Sequence, residues 1–129
     1  MATDFRRTSS APVLLERARS ALADAVRAPS VADRFVFAHL AALRVAAAVL
    51  AERGRPASRR RLVSAWVLLP QVAPEFEPWA AYFGAAARVR AAVEAGASSA
   101  VSQRMADDQV RAAEEFLRLA QASLGQLAA

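Results

Sequence analysis

Apolar residues along this chain recur at steps of three and four and never in strict alternation, a pattern that predicts helices and no strands. Leu15, Ala18, Leu22 and Ala25 share one face of a first helix, predicted from about Ser10 to about Arg27, with Pro12 suited to its first turn. The "APS" that follows breaks it. Ser30 with Asp33 three positions on resembles a capping box for a second helix that reaches Arg53, where Gly54 supplies the stop. A short third helix is expected to end near Pro70, before a connection punctuated by Pro74 and Pro78. The fourth is predicted over about Pro78 to Ala95, with a seam of Trp79, Tyr82, Ala86, Val89 and Val93, and Gly96 ends it. The fifth, from about Ser99 to Leu124, has the most regular seam: Ala106, Val110, Ala113, Leu117, Ala120, Leu124 and Leu127. On its exposed side, Asp107 with Arg111 and Glu114 with Arg118 form acid-before-base pairs at i,i+4. The expected architecture is an all-α antiparallel helical bundle of four long helices plus one short helix, with residues 1–9 as a flexible polar tail and 10–129 as a single domain.

Composition narrows the chemistry. A chain of 129 residues can bury a core without metal or disulfide support. The absence of cysteine excludes disulfides, thiolate catalysis and cysteine-ligated metal, and a single histidine excludes a multi-histidine metal site within one subunit. No cofactor and no metal are therefore expected. No stretch approaches the roughly 18 uninterrupted apolar residues of a spanning helix, and the start lacks the apolar run of a signal peptide. A soluble, cytoplasmic protein without membrane association is the expectation. The formal charge is +5 with a pI near 11.3, and all 17 basic residues are arginine. A permanent positive balance suits a polyanionic partner such as nucleic acid, while the abundance of alanine beside arginine also fits a GC-rich coding bias.

His39, the one histidine, stands five positions after Arg34 on the predicted second helix. On a helical wheel with Val31 at zero, His39 falls at about 80°, among Phe35, Leu43 and Leu50, whereas Arg34 falls at about 300° in a charged arc. Read from the residues alone, His39 is either a buried neutral imidazole with a satisfied hydrogen bond or a general acid/base, and the two side chains do not meet on one helix.

The R-x4-H spacing in a small helical chain resembles the R-x4-6-H signature of the HEPN superfamily. The wider stretch "RFVFAHLAALRVAAAVLAERGRP…RRRLVSAWVLLPQVAPEFEPWAAYF" looks like a HEPN-like family of high-GC bacteria, and the similarity covers about residues 10 to 125. That resemblance implies a homodimer whose motif helices present Arg34 and His39 across a cleft, and a metal-independent cleavage of RNA. In such a site His39 would move protons to and from the 2′-hydroxyl and the leaving 5′-oxygen, Arg34 would stabilise the phosphorane, and the product would be a 2′,3′-cyclic phosphate.

Two further clusters have chemical readings. Arg53, Arg55, Arg59, Arg60 and Arg61 form a candidate RNA-binding rim, or a solvated loop in an arginine-biased chain. Phe76, Trp79, Tyr82 and Phe83 have the spacing of core packing rather than of base stacking. Phosphate-binding loops, dinucleotide fingerprints and nucleophile elbows are absent, and Ser98, Ser99 and Ser102 read as cap and loop residues. The expected function is that of a HEPN-like RNA- or nucleotide-associated protein, with endoribonuclease activity as one form. The alternative is a non-catalytic helical protein–protein interaction module. Candidate partners are a second copy of the chain, RNA or a nucleotide, and another protein.

Overall fold

A computed structural model describes residues 10–54 and 64–128. The predicted tail over residues 1–9 and the arginines at 55, 59, 60 and 61 lie outside these described residues. Five α-helices follow in order: α1 (Ala11–Arg27), α2 (Val31–Arg53), α3 (Ala65–Val72), α4 (Glu77–Glu94) and α5 (Gln103–Ala128), with 3-10 turns at Pro74–Phe76 and Ser98–Ala100. No strand occurs among the described residues, and the expected all-α bundle of four long helices and one short one stands.

Helix boundaries follow local chemistry. The Ser30 hydroxyl accepts from the Asp33 amide at 3.0 Å, completing one half of the predicted capping box. Helix α3 runs through Pro70 to Val72, past the expected stop. The proline removes one amide donor, yet the ladder resumes at once, with Ala73 N–H donating to the Leu69 carbonyl at 2.9 Å. Helix α5 starts later than its apolar period suggests, because Ser98–Ala100 closes into a 3-10 turn and Ser102 takes the cap, accepting from Met105 N–H at 3.1 Å.

Side-chain contacts fix the directions. Arg34 near the start of α2 meets Asp107 near the start of α5, and Arg53 at its end meets Ser123 near the end of α5, so these two helices run parallel. Helix α4 runs against α2, since its late residues Val89 and Val93 pack with Val31 and Phe35. Helix α1 joins α2 through a three-residue connection and packs along it. Helix α2 is thus central, in contact with all four others. By length and hydropathy alone it could cross a membrane. Its apolar character has another source, since ten of its residues, from Phe35 to Leu50, are buried inside the bundle.

The core has two textures. Leu15, Ala18, Leu22 and Ala25 of α1 are buried as predicted, and the alanines of α2, including Ala38, Ala41, Ala42 and Ala48, share their cluster. Small residues permit close helix approach there. On the other side, Trp66, Phe76, Phe83 and Phe116 form an aromatic hub. Most of the predicted α4 seam holds, with Ala86 buried and Trp79, Val89 and Val93 packed against the core, but Ala80 and Phe83 are also buried, while Tyr82 is 43 % exposed. Phe83 wins the inward position because it stacks on Trp66 at 5.2 Å and meets His39 edge-on at 6.2 Å. The charge pairs of α5 also differ from the expected i,i+4 set. Arg118 pairs with Glu115 and Arg111 with Asp108, both at i,i+3, and in the second case Asp107 is drawn across to Arg34.

Candidate functional site

Helix α2 aims Arg34 and His39 at different neighbours. His39 is only 1 % exposed and points at α3 and α4. Its Nε2 lies 3.1 Å from the Phe83 carbonyl oxygen, a contact that only a protonated ring nitrogen can make, so Nε2–H donates and Nδ1 is left as the acceptor. Arg90 Nη1 faces that Nδ1 at 3.5 Å, and Arg90 is itself held by Glu94 at 2.9 Å. Trp66 closes the other side, its ring centroid 5.9 Å from that of the imidazole. Burial is the largest influence on the imidazole and lowers its pKa from the usual value; the Phe83 carbonyl opposes this, Arg90 reinforces it and Glu94 opposes it. At neutral pH the ring is therefore uncharged, with both nitrogens engaged inside the protomer.

Arg34 faces α1 and α5. Its Nη1 donates to Asp107 at 2.8 Å, and its side chain is 29 % exposed. The guanidinium lines a surface depression of about 390 Å³ together with Val26, Asp107, Val110 and Arg111, while its Nε is buried without a hydrogen-bond partner. Within one protomer the structure does not bring Arg34 and His39 together, as the separation on the helical wheel required.

Arg53 is the one member of the predicted basic rim among the described residues. Its Nη1 donates to Glu75 at 2.9 Å and to the Val72 carbonyl at 3.3 Å. Its Nη2 donates to the other Glu75 oxygen at 2.7 Å and to the Ser123 hydroxyl at 2.8 Å. The hydrogen bond to Glu75 is the main cause that raises the Arg53 pKa, and the same bond lowers that of Glu75. All four terminal N–H groups are spent on tying the end of α2 to the 3-10 turn and to α5. Arg55, Arg59, Arg60 and Arg61 lie outside the described residues.

Sequence reasoning missed Arg90. The signal was present: Arg90 falls seven residues after Phe83, hence on the same face of α4, and four before Glu94. Nothing in the sequence said that this face meets His39. No group of three or more histidine and carboxylate side chains suited to a metal occurs among the described residues.

The family model described as HEPN_SAV_6107-like HEPN matches residues 25–121, a span that holds Arg34, His39 and Arg90. No curated protein and no solved structure shows significant similarity to the chain. With a match over most of its length on an all-α bundle, the chain belongs to the HEPN superfamily.

Proposed function

We propose that this chain is a HEPN-like RNA-associated protein in which His39 is a core residue and Arg34 a residue of an interhelical ion pair, and in which RNA is met by Arg55, Arg59, Arg60 and Arg61. The environment of His39 carries the first half of this reading. A general base for RNA cleavage must reach a 2′-hydroxyl with a free ring nitrogen and titrate near the working pH. His39 is buried, both of its nitrogens have partners, and its pKa is lowered. Purified protein is expected to leave RNA intact in EDTA. The net charge of +5 supports the second half. RNA binding should weaken steeply with salt, and neutralising Arg59, Arg60 and Arg61 together should flatten the salt slope by about 2–3 units. Arg53→Ala should leave that slope unchanged, since its donors are already committed. An unchanged slope in the triple variant would assign the loop to solvent and favour the protein–protein interaction module instead.

A ribonuclease acting across a dimer cleft is the second reading, favoured by the presence of both motif residues within the family match. It requires a homodimer and requires His39 to be released from Phe83 and Arg90. EDTA-resistant cleavage, lost in both Arg34→Ala and His39→Ala at unchanged helicity and oligomeric state, would replace the structural reading with this one.

A further inference from the structure

One wall of the His39 site is a charged side chain. The Nε2–H is fixed on the Phe83 carbonyl oxygen, so Nδ1 must accept, and the donor opposite it is Arg90 Nη1 at 3.5 Å. A guanidinium keeps its proton at every accessible pH and offers no acceptor. The contact therefore exists only with a neutral ring: once Nδ1 takes up a proton, two N–H donors and two positive charges face each other. Trp66 and Phe83 close further sides of the imidazole with their rings. Among the described residues, the charged groups that act on the ring are Arg90 and, behind it, Glu94, both from α4, while α3 presents the uncharged Trp66.

The side chain that a proton would displace lies at the surface. Arg90 is 28 % exposed and is anchored to Glu94, itself 50 % exposed, whereas His39 is 1 % exposed. The late turns of α4 rest on α2 through a small cluster separate from the aromatic hub: Phe35, Ala86, Val101 and Ala106 are buried there, with Val31, Val89 and Val93 against them. Arg90 lies between Val89 and Val93 in the chain. An imidazolium Nδ1–H without an acceptor draws in water, and water that takes the place of Arg90 enters beside this small cluster.

We propose that Arg90 is a charge-operated latch on His39: a proton taken from solvent onto Nδ1 expels Arg90 and loosens residues 89–94 of α4 from α2 while the aromatic hub stays closed. The inference rests on the core placement of His39 proposed above and is independent of RNA. Because the chain has one histidine, its imidazole resonances report the protonation state directly. Nuclear magnetic resonance on labelled wild type, from pH 7.5 down to the onset of global unfolding, is expected to show the Nε2–H tautomer and a titration midpoint below about 6.5. Amides of residues 89–94 should be less protected from exchange than that of Phe116, and below that pH their protection should fall by up to about tenfold per pH unit. Arg90→Met should raise the midpoint and end the fall at a higher pH, Arg90→Lys should preserve both, and Glu94→Gln should preserve the fall. An ordinary midpoint in the wild type would overturn the latch together with the core placement of His39. A lowered midpoint that Arg90→Met leaves in place would overturn the latch alone. So would protection of residues 89–94 that ignores pH or matches that of Phe116 throughout, or an acid response that disappears in Glu94→Gln and so belongs to Glu94.

Discussion

Phe116→Ala is expected to lower the free energy of unfolding by about 3–5 kcal/mol, the range for removing a fully buried phenylalanine. Phe116 is 0 % exposed and meets four other rings: Phe76 edge-on at 5.5 Å, Phe83 at 5.8 Å, and Trp66 and Trp79 each at 6.4 Å. These rings come from α3, α4 and the 3-10 turn between them, whereas Phe116 comes from α5. Truncation leaves a cavity at the junction of four elements, and rigid helices cannot collapse into it. Urea denaturation followed by circular dichroism measures the loss. A change below about 1 kcal/mol, the range of ordinary surface substitutions and small core adjustments, would show that this hub is not the centre of the core.

His39→Ala should cost about 1–3 kcal/mol at pH 8, through the cavity it opens and the loss of the bond from Nε2–H to the Phe83 carbonyl. Arg34→Ala, which removes a partly exposed pair with Asp107, should cost under about 1 kcal/mol. A pH signature separates the burial of the imidazole from simple packing. Burial lowers the pKa of His39 in the folded chain, while the unfolded chain titrates near the ordinary value of about 6.5. Above that value both states are neutral, and the contribution of His39 is present in full. As the pH falls below it, the unfolded chain takes up the proton first and the folded state loses stability, until the lowered folded pKa is reached. The slope in that window is at most about 1.4 kcal/mol per pH unit. Glu75, whose folded pKa is depressed, adds its own loss at lower pH, so wild type and His39→Leu must be compared directly. Parallel stability curves for the two proteins between pH 7 and 5 would mean that His39 is not held neutral by its surroundings.

The helical organisation was legible because it depends on local information. Leu15, Ala18, Leu22 and Ala25 mark the buried face of α1, and the seam from Ala106 to Ala120 marks that of α5, through the helical period alone. Ser30, Gly54 and Gly96 punctuate the chain for reasons that lie within a few residues, the two glycines by adopting positive φ values of 91° and 106°. The wheel likewise placed His39 on the apolar face and Arg34 off it, which the burial of one and the Asp107 pair of the other bear out.

Partner choice was decided only by the tertiary structure, because side chains far apart in sequence meet according to how whole helices are oriented. Asp107 could have paired with Arg111 on its own helix, but the parallel run of α2 beside α5 offers it Arg34, and the neighbouring Asp108 takes Arg111 instead. Arg53 reads as one more loop arginine in sequence. The fold brings it Glu75, Val72 and Ser123, the last of them 70 positions away. The turn of α4 that seats Phe83 inward and leaves Tyr82 at the surface follows from Trp66 and His39, which belong to other helices. Periodicity states which residues share a face and where a helix stops. The occupant of the opposite face is set by long-range packing, and with it whether the one histidine is free to act or is held between a carbonyl and an arginine.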